Sequence, residues 1–553
     1  MSETGGLDVM IFLELLVAVA VVAAVVRYVR IPYTVALVLA GLGLALLPNT
    51  PRVELTPEII LTVFLPVLLF YGAYHLSFTD LRANIMPVTL LAIPGVVVTA
   101  ALAGMALHWS AGIDWSIAFL FGAIVAATDP VAVLAIFSEV GAPRRLSTIV
   151  TAESLFNDGT ALVFFTTMVG VATGVAGQGV NIGVTFEQFV LGVAGSLALG
   201  VAVGIVGTTI LSRIDDALLE TAILLIIAYG GFLLATRLGA SGPLETVTAG
   251  LLLGVRSRRV MSPTTRLQAG ATWEFLDFVA NSLLFLLVGL ELRFLGEPDF
   301  SHLGSSMLAL LWPLVAVFIA ITVARALVVW VVARILAWRG NPFPAGWRIV
   351  LTWAGLRGAV ALAAALSLPV GLPDRSLLLT LTFLVVLVTL LGQGLTIRPL
   401  VQRLGITRKE EQGQLVVEAA VGRLRGLDAA VHELAALRGA AVIDEHLAAR
   451  LAARLAERRE QARVELEDAY ASEPTARMDR ERDAIRHLLH VRREAVNEAA
   501  ASGQISDGVL RELLSEIDHE LDQQAHRWQD TATSGNDGAS IKENNGAQGP
   551  EEP

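Results

Sequence analysis

Cysteine is absent from the 553 residues, which excludes disulfides, thiolate metal sites and cysteine nucleophiles and leaves the redox compartment without a trace. Charge is scarce too: 16% of residues are Asp, Glu, Lys or Arg, where soluble domains carry about a quarter. Neither half holds a basic stripe, so no nucleic-acid partner is expected. Hydrophobic residues take the place of charge, at 54% of the chain, and most of such a chain belongs in lipid. The first apolar run has no basic segment before it and no small-residue cleavage site after it, so it reads as a retained span rather than a signal peptide.

Apolar runs between charged or Pro/Gly-rich breaks number thirteen, near residues 8–26, 31–48, 58–75, 84–107, 115–137, 145–170, 184–212, 217–236, 243–255, 272–292, 304–333, 347–370 and 376–397. Several reach about twenty residues, enough to cross a hydrocarbon core of about 30 Å. The ninth is short for a span. Thirteen crossings with the N-terminus outside put Arg27, Arg30, Arg82, Arg144, Arg145, Arg213, Arg256, Arg258, Arg259, Arg266, Arg334, Arg339, Arg348, Arg398 and Arg403 on the cytoplasmic side. Only Arg52, Arg237, Arg293 and Arg375 then fall outside. The expected fold is an all-α polytopic membrane protein of the inner (cell) membrane, with its C-terminus cytoplasmic. An odd count also allows two inverted six-helix repeats, spans 1–6 and 8–13, in which spans 5 and 12 correspond.

The expected domains are a transmembrane region over 1–404, a cytoplasmic helical region over 405–530 and a disordered tail over 531–553. Most of the formal charge of −11 lies after Gly405, where composition turns to Ala, Glu, Arg and Leu at helical spacing. Six histidines sit there (His432, His446, His487, His490, His519 and His526), more simply read as solvated surface than as a pH sensor. From about Thr531 hardly an apolar residue remains.

A lone aspartate at the centre of a transmembrane helix costs about 2.5–3.5 kcal/mol on insertion scales, so such residues rarely persist without a partner or a task. Here they cluster: Asp129 in span 5, Glu153 and Asp158 in span 6, answered in this reading by Arg357 in span 12. Three acids against one guanidinium call for protons or a bound cation. Ser154 and Asp158 are four apart and share a helix face, where a hydroxyl and a carboxylate can converge on one ion. Glu153 and Asn157 share the next face, where Glu153 is expected to meet Arg357. Pro130 donates no backbone hydrogen bond and disfavours helix at Asp129, so span 5 should unwind there and free carbonyls such as that of Thr128, with Asp129 capping the second half. Glu14, Glu139, Glu220, Glu245 and Glu291 fall near span ends, where interfacial solvation is the simpler reading. Glu274, Asp277 and Asn281 form a stripe in span 10 that faces either an ion funnel or a neighbouring helix. Arg325 in span 11 finds no partner from sequence.

Four motifs carry a family resemblance: Ala127-Thr128-Asp129-Pro130-Val131, Glu153-Ser154-Leu155-Phe156-Asn157-Asp158-Gly159, Phe285-Leu286-Leu287-Val288-Gly289, and Gly355-Leu356-Arg357-Gly358-Ala359-Val360 before Leu366-Ser367-Leu368-Pro369. In order and spacing the chain resembles the monovalent cation:proton antiporters, in the branch of the NhaP-type and NHE-type sodium/proton exchangers. The resemblance implies thirteen helices, a homodimer with a dimerisation domain beside a mobile core, and crossed, unwound helices 5 and 12. It implies that Asp158 is the ion-binding carboxylate with Ser154 and Thr128 as further ligands of the metal ion. Asp129 becomes a helix-end charge compensator, and Glu153 with Arg357 a core ion pair. The Asn157-Asp158 pair resembles the electroneutral branch, in which one sodium exchanges for one proton. One departure is Tyr71, where many members carry a glutamate after Leu-Leu-Phe.

The function expected is exchange of sodium, and of lithium as an alternative ion, for protons by alternating access, with neither enzyme activity nor a cofactor. Potassium/proton exchange is the runner-up. An intramembrane aspartyl protease using Asp129 and Asp158 and a cation channel rank lower.

Overall fold

The computed structural model describes residues 9–520 apart from 27, 29–30, 48–55, 174–181, 262, 292–302, 407–408, 441, 473–484, 486–487, 490, 501, 503, 507 and 518. The tail expected over 531–553 lies outside the described residues. Two compact units divide the chain, Met1–Thr407 and Arg408–Pro553.

Among the described residues every regular element is helical, and each of the thirteen runs meets one helix or a pair. They are α1 (Val9–Val26), α2 (Tyr33–Ala45), α3 (Pro57–His75), α4 (Ile85–Ala111), α5 (Trp115–Ile124) with α6 (Val131–Val140), α7 (Arg144–Ala172), α8 (Ile182–Leu211), α9 (Ala217–Arg237), α10 (Gly242–Val260), α11 (Pro263–Glu291), α12 (Leu303–Trp338), α13 (Ala345–Trp353) with α14 (Ala359–Leu366), and α15 (Arg375–Arg403). Eight are long and apolar enough to cross a membrane, and α1, α2, α5 and α6 are shorter apolar helices. The ninth run is longer than its apolar stretch. Ser241 caps α10, its hydroxyl accepting from the Leu244 amide at 3.4 Å, and the helix continues to Val260 through the arginines that end the apolar run.

Packing falls into two groups. In one, α2 lies against α11, and α10 against α3, α8 and α9; in the other, α4 lies against α5 and α12, and α7 against α5. The interrupted spans, α5 with α6 and α13 with α14, are the fifth of the first six and the fifth of the last six. The groups meet where α7 crosses α10. Gly159 permits that approach: a Cβ there would come within 2.7 Å of Leu244 Cβ and 3.0 Å of its Cα. On α1 the exposed residues Met10, Leu13, Val17 and Val21 recur every three or four positions, an exposed apolar stripe.

The glutamates expected at interfaces divide. Glu14 is exposed and Glu139 pairs with Arg398 at 2.8 Å, but Glu220, Glu245 and Glu291 are buried. Glu245 is wholly enclosed because Gly231 leaves room for its carboxylate: a Cβ on that glycine would lie 2.5 Å from Oε1. The interfacial reading of these three fails because helix packing, invisible to a hydropathy count, covers the span ends.

In the second unit, α16 (Lys409–Gly439) and α17 (Glu445–Ser472) pack as a helical pair around Val417, Ala420 and Ala469. Ion pairs Arg423–Glu465 at 2.5 Å and Arg459–Asp428 at 2.6 Å cross between them on exposed surface, where each contributes at most about 1 kcal/mol. His432, His446 and His519 are exposed.

Candidate ion-binding site

Two interrupted helices cross at the heart of the first unit. Between α5 and α6 residues 125–130 leave the helix, as Pro130 dictates, and between α13 and α14 residues 354–358 do the same around Gly355 and Gly358. The Asp129 amide donates to the Leu356 carbonyl at 2.8 Å, so each break satisfies a backbone group of the other. Asp129 Oδ1 accepts from the Val131 amide at 2.9 Å and caps α6. The same carboxylate lies against Gly358, at the start of α14, so closely that a Cβ on Gly358 would collide with it. One aspartate therefore serves two helix N-termini, each worth about half a positive charge.

Helix α7 approaches this crossing with two faces. Ser154 and Asp158 look into a cavity of about 480 Å³ that also includes Thr128, Asp129 and Pro130. The Ser154 hydroxyl donates to the Thr128 carbonyl. Glu153 and Asn157 look the other way, toward Arg325 and Arg357. Asn157 fastens α7 to the unwound strand: its Nδ2 donates to Thr128 Oγ1 at 2.5 Å and to Glu153 Oε1 at 3.0 Å, and its Oδ1 accepts from the Thr128 amide at 3.3 Å.

The partner of Glu153 is not Arg357. Arg325 of α12 grips Glu153 with both terminal nitrogens, at 2.5 and 2.7 Å, in a fully buried fork. Its Nε donates to the Leu351 carbonyl at 3.0 Å, in the last turn of α13. Arg357 instead points Nη1 at the Ala126 and Ala127 carbonyls, 3.5 and 3.4 Å away, beyond the end of α5, while its amide donates to Thr389 Oγ1 at 3.2 Å. Arg357 and Glu153 border the same void of about 10 Å³ without bonding. Sequence reasoning matched the nearest motif residues, but the helix that carries Arg325 closes on α7 first.

Each fixed charge at the crossing thus has a fixed answer. Glu153 has Arg325, Arg357 has the carbonyls following α5, and Asp129 has two helix N-termini. Asp158, 8% exposed, is not paired with any cation among the described residues. At the crossing itself three acids, Asp129, Glu153 and Asp158, stand against two guanidiniums, Arg325 and Arg357.

Gly358→Ala tests the crossing. The added methyl meets the Asp129 carboxylate and is expected to cost about 1–3 kcal/mol of stability. Gly355→Ala meets only Arg325 at 3.5 Å or more and should be tolerated. Thermal unfolding in detergent checks both, and equal melting temperatures would remove the steric argument.

Known proteins bear on this arrangement. A family model described as sodium/hydrogen exchanger, transmembrane, matches residues 15–403. The chain belongs to the sodium/hydrogen exchanger family. The exchanger is 37% identical over 424 residues to the Na(+)/H(+) antiporter ApNhaP of Aphanothece halophytica, covering 75% of this chain and 78% of that protein. It is 40% identical over 353 residues to the Na(+)/H(+) antiporter NhaP of Pseudomonas aeruginosa, covering 63% and 81%. The sodium proton antiporter MjNhaP1 from Methanocaldococcus jannaschii has a similar fold, with a TM-score of 0.56, 21% identity, and coverage of 72% of this chain and 98% of that one. The exchanger is accordingly a multi-pass membrane transporter, not an enzyme, and works without a cofactor.

Sequence reasoning passed over His75 and noted Tyr71 only as a departure, yet both belong to the exchanger's cavity. His75 and Tyr71 line it from α3, their rings 4.3 Å apart. Of the α11 stripe, Asp277 and Asn281 face the cavity, whereas Glu274 is exposed outside it. A second cavity of about 680 Å³ lies farther along α7, lined by Leu162, Val163, Phe165, Thr166 and Thr167 with Ser241 and Ser367. The i, i+4 spacing of Asp277 and Asn281 was the signal available for α11; nothing local marked His75.

Proposed function

We propose that this chain exchanges sodium for protons across the inner membrane, one for one, with Asp158 binding either ion in turn. The observation that carries the reading is Asp158, a buried carboxylate at the crossing of two broken helices with no cation paired to it among the described residues. Ser154 Oγ and the Thr128 carbonyl adjoin it and supply neutral oxygens, which hard monovalent cations favour. Because one charge lacks a fixed partner, one sodium or one proton restores neutrality, and the loaded core carries the same charge either way. Asp129 holds the two half-helices together, and Asn157 holds α7 to the unwound strand. Exchange needs the group containing α7 to move against the group containing α10, so that Asp158 leaves one cavity for the other. A homodimer built on the other group, an outside N-terminus and a cytoplasmic second unit complete the proposal.

Dye-monitored proton movement in proteoliposomes, with sodium, lithium and potassium added in turn, tests it. Sodium and lithium are expected to drive saturable proton movement that is unchanged by clamping the membrane potential, and potassium to drive none. A response to potassium alone would transfer the reading to potassium/proton exchange. Uncoupled, non-saturating flux would make the protein a channel.

A further inference from the structure

Four aspartates line the cavity that reaches Asp158: Asp80, Asp129, Asp158 and Asp277. Among the described residues one arginine is in its wall, Arg144, which lies 3.0 Å from Asp80 at Nε. Asp129 is engaged by helix ends and Asp158 is the exchange site, so Asp277 remains to be explained. It stands on α11, in the helix group opposite α7, and Asn281 Nδ2 donates to its Oδ1 at 3.0 Å. That bond fixes the orientation of the Asn281 amide and leaves its oxygen over. Asn281 is 9% exposed, lines the cavity, and its Oδ1 is buried without a hydrogen-bond partner among the described residues.

A carboxylate beside an unused carbonyl oxygen presents mostly acceptors, against the one N–H that the Asn281 amide keeps beyond its bond to Asp277. The negative charge disfavours an anion there, whereas a cation finds oxygens of the kind it prefers. The surplus of carboxylates in the wall concentrates cations in the cavity as a whole. We infer that Asp277 and Asn281 form a second, weaker station for a monovalent cation, occupied between the cavity mouth and Asp158. It is weaker because the cavity has room for the ion to keep most of its water. The inference rests on the reading of Asp158 as the exchange site. The plainer alternative, an i, i+4 pair that supports α11, predicts an effect on stability and none on sodium dependence.

Sodium titrations of proton movement in proteoliposomes of the full chain separate these readings. Asp277→Asn should raise the KM for sodium about fivefold, the worth of one unit charge about 4 Å away in water, and leave the maximal rate in place. Asn281→Asp should lower that KM, and Asp277→Glu should restore it. In the Asp158→Asn background, which holds no exchange site, sodium chloride measured against choline chloride should still raise the unfolding temperature while Asp277 is present, and cease to do so in Asp158→Asn/Asp277→Asn. An unchanged KM in Asp277→Asn, or a shifted pH profile at constant KM, overturns the station while wild-type exchange stands. Wild-type vesicles that ignore sodium overturn the parent reading instead. Should Asp277→Asn fail to fold, Asn281→Asp carries the test, and a KM that does not fall rejects the station.

Discussion

Vesicles carrying Asp158→Asn are expected to move no protons in response to sodium, at the level of protein-free vesicles, while the variant folds as well as the wild type or better. The carboxamide matches the carboxylate in shape, so packing around α7 is preserved. It differs in the one property the exchange needs, since it neither carries a negative charge nor takes up a proton near neutral pH. Stability should hold or rise because a desolvated carboxylate with no paired cation disfavours the folded state when it is ionised. Loss of transport with an equal or higher melting temperature is thus the signature of a residue kept for function at some expense of stability. Full sodium-driven proton movement in Asp158→Asn would falsify the assignment.

The second large effect belongs to the ion pair between Arg325 and Glu153. Both are buried, with side chains 8% and 2% exposed, and the fork geometry satisfies both carboxylate oxygens. Removing one partner leaves the other charged in a dry interior, which typically costs about 3–5 kcal/mol. Arg325→Ala and Glu153→Ala should each lower stability on that scale. The double variant should lose much less than the sum, because it strands no charge. Arg357→Ala is expected to be destabilising through the Ala126 and Ala127 carbonyls, yet nearly additive with Glu153→Ala. Chemical unfolding of the three single and two double variants in detergent measures the couplings. A larger coupling of Glu153 to Arg357 than to Arg325 would restore the pairing expected from the motifs.

That contrast marks where the sequence stops being legible. Thirteen apolar runs anticipated the helices because lipid exposure leaves a linear record, and Pro130 marked the break in span 5 because its backbone chemistry is local, whereas the break in span 12 came from the family resemblance. The faces of α7 followed from the spacing of four between Ser154 and Asp158. Arg325 was visible as a charge in a span, but its partner lies 172 positions away, and only the packing of α12 brings the two together. Glu245 failed for a related reason: its neighbours on α8 and α9 are glycines, whose contribution is the space they leave. Asp277 was seen on its stripe, and only the three-dimensional wall could say what the stripe faces.

The two cavities touch α7 at Asp158 and, four residues on, at Leu162, a separation of about 6 Å along the helix axis at 1.5 Å per residue. Where both are wet, the transmembrane voltage falls almost entirely across that thin partition, whose face includes Gly159 pressed on Leu244. A carrier that is neutral whichever ion it holds feels nothing of this steep field. A variant that added or removed one unit of charge on the moving side would feel about 2.3 kcal/mol for every 100 mV, and its turnover would become a voltmeter.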